Sequence, residues 1–257
     1  MENIDHGEIQ DPPNPFALSD REAKMLIYIG RMALLGELFH DVVHDIRNPL
    51  STVTLIASVI DKSRRSDEGD GASLAEKIRI LESSSQQIDR VLSNVDSLWR
   101  GDRQVSLEYI SLESLISSTV ELVDSHIRSA GIELRISIVT PSSLVWCKRI
   151  ALMQALLQLI RNARDASINS SSPWIKLQAE DVNGCIELSV VDSGKGIPPK
   201  VRDKMMQPFF TTKPPHAASG LGLTCAQLII SEHRGELFYD EEAEHTRFVI
   251  RLPSSPQ

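Results

Sequence analysis

A histidine at position 44 lies in a stretch of sequence whose side chains could do chemistry. The stretch reads Phe39-His-Asp-Val-Val-His-Asp-Ile-Arg-Asn-Pro-Leu50, so a carboxylate, Asp45, follows the imidazole and an amide, Asn48, lies four residues on. A neutral imidazole is both a nucleophile and a proton carrier near neutral pH. His44 is therefore a candidate reactive group, although an ordinary surface histidine on a helix would show the same pattern.

The apolar residues around His44 predict a long amphipathic helix. At about 100° per residue, position 44 lies roughly 140° from the centre of the apolar stripe, on the side of Asp41, Asn48 and Thr52. We therefore expect the imidazole on a solvent-exposed polar face. The stripe itself is typical of a helix that faces a core and consists of Met32, Leu35, Phe39, Val42, Val43, Ile46, Leu50, Val53, Ala57 and Ile60.

Signals for the ends of this helix predict a helical hairpin. Ser19 or Asp20, followed by Glu22, is a candidate N-terminal cap, and the helical pattern continues to about Arg65. Pro49 is expected to bend the helix just after His44. Residues 66–71 have turn composition, and apolar residues then recur with heptad-like spacing to position 98. Because a lone hairpin leaves its apolar stripes uncovered, we expect two copies to pair as a four-helix bundle in a homodimer.

The second half of the chain mixes helices and strands. Residues 101–106 form a polar linker, and the patterns predict helices at 112–127, 150–168 and 221–233. Strands are predicted at 132–139, 144–147, 174–179, 186–191, 236–239 and 247–252. Without a strict βαβ alternation, this order predicts an α+β sandwich with helices on one face of a mostly antiparallel sheet.

Composition excludes several classes of protein. The 257-residue chain carries a formal charge of −8 without a compensating basic stripe, which argues against nucleic-acid binding. Apolar runs are far shorter than the ~20 residues that span a bilayer, and the acidic start resembles no signal peptide, so we expect a cytoplasmic protein without direct membrane insertion. Residues 1–18 are expected to be a disordered leader and residues 254–257 a tail. Cys147, Cys185 and Cys225 lack metal or redox spacing.

Two glycine-containing stretches are suited to a nucleotide. Asp192 follows an apolar strand and could accept a hydrogen bond from an exocyclic amine, while Gly194 and Gly196 would let the backbone approach a flat ligand. Residues 219–224 read Ser-Gly-Leu-Gly-Leu-Thr and open a helix, whose free backbone donors could bind phosphates. Neither stretch matches the P-loop or the dinucleotide-binding pattern.

A polar helix face and a flap complete the candidate site. Gln158, Asn162 and Asp165 share one face of the helix at 150–168, and an amide oxygen is a suitable ligand for a Mg²⁺ ion that nucleotide phosphates already hold. Between the two glycine stretches, residues 208–219 are rich in proline and small residues. We expect this segment, which includes Lys213, to be a mobile flap over the site.

Together these stretches resemble the two-component sensor histidine kinases. His44-Asp-Ile-Arg-Asn-Pro-Leu50 is similar to the phosphoacceptor box, Asn162-Ala163 to the N box, Asp192-Ser-Gly-Lys-Gly196 to the first glycine box, residues 208–213 to the F box, and Gly220-Leu221-Gly222-Leu223 to the second glycine box. The resemblance covers roughly residues 30–253 in the family's order. It implies a dimerisation and phosphotransfer hairpin at 19–100 and an ATP-binding domain of the GHKL type at 107–253.

The resemblance also implies a role for each matching residue. His44 would accept the phosphoryl group of ATP, and Asp45 would hydrogen-bond its other ring nitrogen. Asn162, and Gln158 by its position, would hold Mg²⁺, while Asp192 would accept from the adenine amine. The remaining nucleotide contacts would come from Asp165, Gly194, Gly196, Lys213, Gly220, Leu221, Gly222, Leu223 and Thr246.

Further expectations concern partners and the reverse reaction. The resemblance implies that phosphate passes from His44 to an aspartate of a response-regulator receiver domain. Asp45-x-x-Asn48 is similar to the acid-x-x-amide pattern with which bifunctional members dephosphorylate that partner. Because no sensory segment is evident, a sensor or regulator acting in trans is expected.

This sequence departs from the family's pattern at two positions. Gln158 replaces the usual asparagine, and His245-Thr-Arg-Phe248 keeps Thr246 but loses the glycine of the family's Gly-Thr-x-Phe. A hydrolytic ATPase of the same fold would need a glutamate at position 158. A zinc helix built on His40 and His44 would need a third ligand. A non-catalytic phosphotransfer protein that relays phosphate between receivers is the main alternative.

Overall fold

The computed structural model describes residues 16–65, 71–100, 107–139, 144–182, 184–214 and 218–254. Helix α1 (Asp20–Arg65) begins with a capping box, as the sequence predicts. The Ser19 N–H and hydroxyl donate to the Glu22 carboxylate at 2.8 and 2.6 Å, and the Glu22 N–H donates to the Ser19 hydroxyl at 3.4 Å. The helix continues through Pro49, which is buried.

Helix α2 (Gly71–Arg100) packs back along α1 and forms the predicted hairpin. Leu35, Leu38 and Val42 of α1 are buried, as are Val91 and Leu98 of α2. Residues 66–70 of the predicted turn at 66–71, and most of the predicted leader, residues 1–15, lie outside the described residues, and Gly71 is the first residue of α2.

The apolar stripe of α1 divides into two faces. The prediction that the whole stripe faces a core is wrong for a single chain, because Phe39 is 69% exposed and Leu50 is 52% exposed. Val43, on the same line, is also exposed. The buried face lies about one third of a turn away and continues through Asp45 and Pro49.

Helices α3 (Leu112–Glu121) and α4 (Asp124–Ser129) replace the single helix predicted at 112–127. Val123 has φ −129° and ψ −13°, so the helical path is interrupted there. The Ser111 hydroxyl caps α3 by accepting from the Ser114 N–H at 3.4 Å. Strand β1 (Glu108–Ser111), which the sequence patterns did not predict, pairs antiparallel with β3 (Leu144–Cys147) as a small sheet.

The main sheet has five strands in the order β2-β4-β5-β7-β6. Its strands are β2 (Glu133–Ile138), β4 (Trp174–Val182), β5 (Cys185–Asp192), β6 (Glu236–Tyr239) and β7 (Thr246–Pro253). β2 runs parallel to β4, and every other neighbouring pair is antiparallel. The register places Asp192, the last residue of β5, opposite Thr246, the first residue of β7.

Helices cover one face of this sheet, which confirms the predicted α+β sandwich. Helix α5 (Arg149–Ser167) packs on β4 and β5, and α3 and α7 (Gly222–Glu232) flank it. Along β4, Ile175, Leu177 and Ala179 are buried and alternate with more exposed residues, as expected when one face is covered. A short helix, α6 (Pro199–Arg202), lies before the flap.

The first turns of α1 pack against α5 and α7. The Cys225 thiol donates to the Leu26 carbonyl at 3.1 Å, and the Gln154 amide donates to the Ile27 carbonyl at 3.3 Å. A Cβ atom at Gly30 would collide with the Cys225 sulfur, so glycine lets the two helices approach closely. Among the helices of the described residues, none combines the length and the apolar composition needed to cross a bilayer.

Candidate functional site

A cleft of about 720 Å³ lies beside α5 at the ends of β5 and β7. Its other walls come from α6, from the flap, from the start of α7 and from one turn of α1. Many of the predicted site residues line it: Gln158, Asn162, Asp165, Asp192, Gly196, Lys213, Gly220, Gly222, Leu223 and Thr246. The cleft thus gathers residues that are distributed over nearly ninety positions of sequence.

Asp192 supplies a buried carboxylate at the floor of the cleft. It is 3% exposed and accepts a hydrogen bond from the Gly194 N–H at 2.8 Å. Burial raises the pKa of Asp192 to about 6, although the hydrogen bonds from Gly194 and from the Thr246 hydroxyl oppose that rise. At neutral pH the group is a carboxylate with acceptor capacity left for a donor such as an exocyclic amine.

Gly194 is required by the protein itself. A Cβ atom there would lie 2.6 Å from the Asp192 Oδ1 and 2.9 Å from the Ala166 Cβ, and Gly194 does not line the cleft. The absence of a side chain at Gly194 therefore lets the backbone turn under Asp192. The expectation that Gly194 also makes room for a flat ligand stays a prediction. Gly196 does line the cleft and has φ +81°, and an added Cβ atom there would meet no other atom within 4 Å.

The second glycine stretch joins the flap to α7. Gly220 has φ +69°, and a Cβ atom there would lie 2.6 Å from the Phe209 carbonyl oxygen, so the flap backbone rests directly on it. A Cβ atom at Gly222 would lie 2.8 Å from the Gln158 Oε1. Leu221, predicted as a nucleotide contact, is buried away from the cleft lining, because its side chain packs into the interior.

Cationic side chains surround the α5 wall of the cleft. The Lys213 ammonium of the flap contacts the Asp165 carboxylate, and the Arg164 guanidinium donates to the same carboxylate at 2.9 Å. Burial would raise the pKa of Asp165, but the hydrogen bond and charge of Lys213, helped by Arg164, outweigh burial and lower it. Arg161, which the sequence patterns did not single out, pairs with Glu37 of α1 in the same wall.

The donor set suits a nucleotide-bound magnesium ion. Asn162 is half-buried in the cleft wall and offers an amide oxygen, a ligand type that Mg²⁺ accepts. Gln158 is buried, and its amide nitrogen lies 3.5 Å from the Gly30 carbonyl of α1. Its Oε1 is directed towards Gly222, so both predicted metal ligands border the cleft, and Gln158 is also engaged with α1.

The stretch around His44, which is predicted to accept the phosphoryl group, is not in the cleft. The last α1 residue in the cleft wall is Glu37, and position 44 lies seven residues, or about 10 Å, further along the helix. Asn48 is exposed and Asp45 is buried on the hairpin's inner face. The side chain of His44 lies outside the described residues, and its predicted contact with Asp45 stays a prediction.

Two family models match this chain. Residues 34–104 match the His Kinase A phospho-acceptor domain, and residues 147–256 match the histidine kinase-, DNA gyrase B- and HSP90-like ATPase. The first match contains the reactive stretch around His44, and the second contains the whole cleft except its α1 turn.

The chain belongs to the two-component histidine kinases.

Curated relatives include other kinases of this family. The two-component sensor PprA of Pseudomonas aeruginosa is 27% identical over 91% of this chain and 26% of its own length. The sensor histidine kinase ZraS of Escherichia coli K12 is 29% identical over 87% of this chain and 46% of its own length. This chain thus spans less than half the length of these two relatives.

Solved structures agree with the fold. The catalytic domain of histidine kinase ThkA superposes with a TM-score of 0.53 at 29% identity, covering 59% of this chain and 100% of that domain. ThkA in complex with response regulator protein TrrA superposes with a TM-score of 0.51 at 24% identity, covering 92% of this chain and 65% of that one. The second match extends the agreement in fold to the hairpin.

Some site residues of this histidine kinase had no signal that sequence reasoning could use. Ile197, Val201 and Met205 provide an apolar wall suited to a purine ring. They are common apolar residue types in and around the short helix α6. Glu37 is an ordinary polar residue of a helix, and its place in the cleft follows only from how α1 packs. Arg161, by contrast, directly precedes Asn162, a predicted magnesium ligand, and that position was a signal by which the sequence could have identified it as a site residue.

Proposed function

We propose that this histidine kinase chain transfers the γ-phosphoryl group of ATP to His44 and then to an aspartate of a response-regulator receiver domain. The observation that carries the proposal is the cleft, in which a buried carboxylate at Asp192, a half-buried amide at Asn162 and the cation of Lys213 lie together. A phosphoacceptor stretch on the same chain supplies the nucleophile.

The first step is an in-line attack by a neutral imidazole nitrogen of His44 on the γ-phosphorus. A nitrogen–phosphorus bond forms, the bond to the β–γ bridging oxygen breaks, and ADP leaves. The proton on the other ring nitrogen stays bound to that nitrogen and makes a hydrogen bond to an acceptor, the role proposed for Asp45. The second step moves the same phosphoryl group from nitrogen to a carboxylate oxygen of the receiver.

Binding and positioning account for the protein's share of the catalysis. Asp192 accepts from the adenine amine, Thr246 supports that carboxylate, and the backbone donors at Gly220 and Gly222 face the phosphates. Asn162, with Gln158 beside it, would hold Mg²⁺, which would neutralise phosphate charge. Asp165 orients Lys213 within the flap. Leu223 packs beside the phosphates.

The proposal includes a domain movement. Position 44 lies about 10 Å along α1 from the residues that line the cleft, so the nucleotide domain has to shift along the helix before transfer. Residues 19–100 then act as the dimerisation and phosphotransfer hairpin, and residues 107–253 as the domain that moves.

Dimerisation is proposed from the exposed seam of α1. Phe39, Val43, Ile46, Leu50 and Val53 recur at spacings of three and four residues, the pattern with which helices pair. Phe39, Val43 and Leu50 are exposed in a single chain, and a second copy would cover them. ThkA was solved with a response regulator, which supports a receiver domain as the partner of the phosphorylated hairpin.

Incubation with Mg-ATP followed by mass spectrometry tests the function. Acid-labile phosphate is expected on His44, to be absent in His44→Gln and strongly reduced in Asn162→Ala. His40→Gln, four residues away on the same helix, is the matched control and should still be labelled. Phosphate on another residue, or labelling that survives in His44→Gln, would contradict the proposal.

Two accompanying measurements separate related roles. A phosphotransfer protein without kinase activity would accept phosphate from a receiver and bind no Mg-ATP, so tight nucleotide binding excludes that alternative.

Asn48 is exposed, as a water-orienting amide should be. Asn48→Ala is therefore expected to slow dephosphorylation of a phosphorylated receiver while autophosphorylation persists; an unchanged dephosphorylation rate would remove Asn48 from that role.

A further inference from the structure

Arg161 is a largely buried cation of the cleft wall whose partner comes from another domain. Its side chain is 13% exposed, and its guanidinium contacts the carboxylate of Glu37 on α1. Burial lowers the pKa of Arg161 to about 10, with Asp165 opposing that change, so the group is still charged at neutral pH. Its neighbour in sequence, Asn162, is the proposed magnesium ligand.

The other cations of this wall are neutralised differently. Arg164 and Lys213 both contact Asp165, which belongs to α5 and stays with the nucleotide domain whatever α1 does. Glu37 belongs to the phosphoacceptor helix, α1. It stays beside Arg161 only while the first turns of α1 pack against α5 and α7, which is the docked arrangement. Among the described residues of the cleft wall, Arg161 is thus the cation whose counter-ion depends on the arrangement of the two domains.

The docked arrangement is held by close contacts two turns before Glu37. The Cys225 sulfur occupies the space that a side chain at position 30 would need, and the Gln158 amide nitrogen lies 3.5 Å from the Gly30 carbonyl. Leu34, between Gly30 and Glu37, is fully buried. These contacts fix the position of α1 along its own axis, and so they keep Glu37 beside Arg161.

We propose that Arg161 binds the terminal phosphate of the nucleotide, and that Glu37 occupies its guanidinium in the docked form, so that phosphate and Glu37 compete for it. The inference rests on the proposed function and deepens it. A carboxylate and a phosphate present similar pairs of oxygens to a guanidinium, which is why each can replace the other. Nucleotide binding and the docking of α1 are therefore coupled, each weakening the other by the same factor.

The geometry of α1 links this competition to the approach of His44. Residues 37 and 44 are seven apart, so their Cα positions lie within about 20° of the same helix face. A shift of the nucleotide domain by about two turns along that face removes Glu37 from Arg161 and brings position 44 to the cleft. The same movement frees the arginine for the γ-phosphate and presents the acceptor.

Nucleotide titrations of four variants test the competition, with adenosine as the ligand that lacks phosphates. In Glu37→Gln, the affinity for Mg-ATP is expected to rise roughly tenfold, within the usual range of coupling between sites, while the affinity for adenosine stays the same. Arg161→Ala should lose Mg-ATP affinity and keep adenosine affinity. In the double variant, Glu37→Gln should have no further effect. Glu82→Gln on α2 makes the same charge change at an exposed position and is the control.

Gly30→Ala tests the docking without touching either charge. The added methyl group would collide with Cys225, whereas Gly36→Ala meets no atom within 4 Å and provides the same gain in helix propensity. Gly30→Ala should therefore raise Mg-ATP affinity as Glu37→Gln does, and Gly36→Ala should not. Should Arg161→Ala fail to fold, Arg161→Lys keeps the charge and tests the paired geometry.

The outcomes distinguish this inference from the proposed function. Two results for Glu37→Gln would overturn the competition even if His44 is phosphorylated. One is an equal change in the affinities for Mg-ATP and adenosine, and the other is no change in either affinity. Absence of label on His44 with the expected shifts in affinity would instead remove the kinase reaction and leave the competition at Arg161 standing.

Discussion

Asp192 and Thr246 face each other across the β5–β7 ladder, and the Thr246 hydroxyl hydrogen-bonds the Asp192 carboxylate. Both residues are buried at the point where their strands end. The register of two strands, rather than a flexible loop, thus fixes the carboxylate that is proposed to recognise adenine. A site placed on paired strands keeps its geometry without a ligand.

Adenosine affinity should depend on pH through Asp192. Because burial raises the pKa of Asp192 to about 6, the carboxylate becomes protonated at mildly acidic pH and loses acceptor capacity. Affinity is expected to be constant above pH 7 and to fall by up to about tenfold per unit below 6. Adenosine is the suitable ligand, since it carries no phosphate that titrates in this range. A profile that is flat from pH 5 to 8 would contradict the assignment.

Removing the charge of Asp192 should stabilise the ligand-free protein. Its folded-state pKa is raised above the ordinary value of 3.8, so the ionised group costs stability above pH 6, and that cost disappears as the pH falls towards 4. Asp192→Asn is expected to raise the free energy of unfolding by about 1–3 kcal/mol at pH 7.5. Denaturant titrations at pH 7.5 and 4.5 measure the difference, which should shrink at the lower pH.

Asp181→Asn is the control for that experiment, because it makes the same change at an exposed position of β4. It should leave stability within about 0.5 kcal/mol. If Asp192→Asn is no more stable than Asp181→Asn, burial of the Asp192 charge does not lower the free energy of unfolding. Adenosine binding should nevertheless be lost in Asp192→Asn, so the position exchanges stability for function.

Gly220→Ala should damage the flap more than the backbone conformation alone predicts. Gly131 and Gly220 have similar positive φ values, +72° and +69°, and Gly131 has no atom within 4 Å of an added Cβ. Gly131→Ala is therefore expected to cost about 1 kcal/mol in the free energy of unfolding and to leave Mg-ATP binding unchanged. Gly220→Ala adds a collision with Phe209 and should lower Mg-ATP affinity at least tenfold. Equal effects of the two variants on nucleotide binding would argue against a structural junction at Gly220.

Leu50→Glu should dissociate the proposed homodimer. Leu50 is 52% exposed on the seam of α1, whereas Leu55 is 62% exposed and lies about 140° away around the helix. A charge buried in a helix seam is costly, so the Leu50→Glu protein is expected to sediment as a monomer at micromolar concentration. Leu55→Glu, which introduces the same charge off the seam, should sediment as the unchanged protein does. Identical behaviour of the two variants would place the interface elsewhere.

Local patterns were sufficient for most of the fold. The capping box at Ser19 and Glu22, the alternation in β4 and the apolar face of α5 are properties of neighbouring residues, and each predicted element lies within a few positions of the observed one. The break between α3 and α4 escaped because the apolar spacing continues across Val123. Strand β1 escaped because its partner, β3, lies more than thirty positions further along.

In the candidate site, too, features set by neighbouring residues were predictable from the sequence, and features set by contacts between distant elements were not. Asp192 and Asn162 were identified from residue type and spacing and Lys213 from the family resemblance, and the cleft brings the three together. The contacts of Gly194 could not be predicted from the sequence, since they involve the Ala166 methyl group on a different element as well as the nearby Asp192 carboxylate. The exposure of Phe39 and Leu50 was missed because helical periodicity identifies an apolar face without saying which surface covers it.

The contact between Gly30 and Cys225 makes the domain arrangement observable by thiol chemistry in the unmodified chain. While α1 is docked, Cys225 is buried, and burial raises the pKa of its thiol to about 12, so it is protected from alkylation. Cys147 is equally buried, in strand β3 within the core, and becomes reactive when that domain unfolds. The ratio of the two alkylation rates therefore reports how often the phosphoacceptor helix leaves the nucleotide domain, with the partly buried Cys185 as a reference.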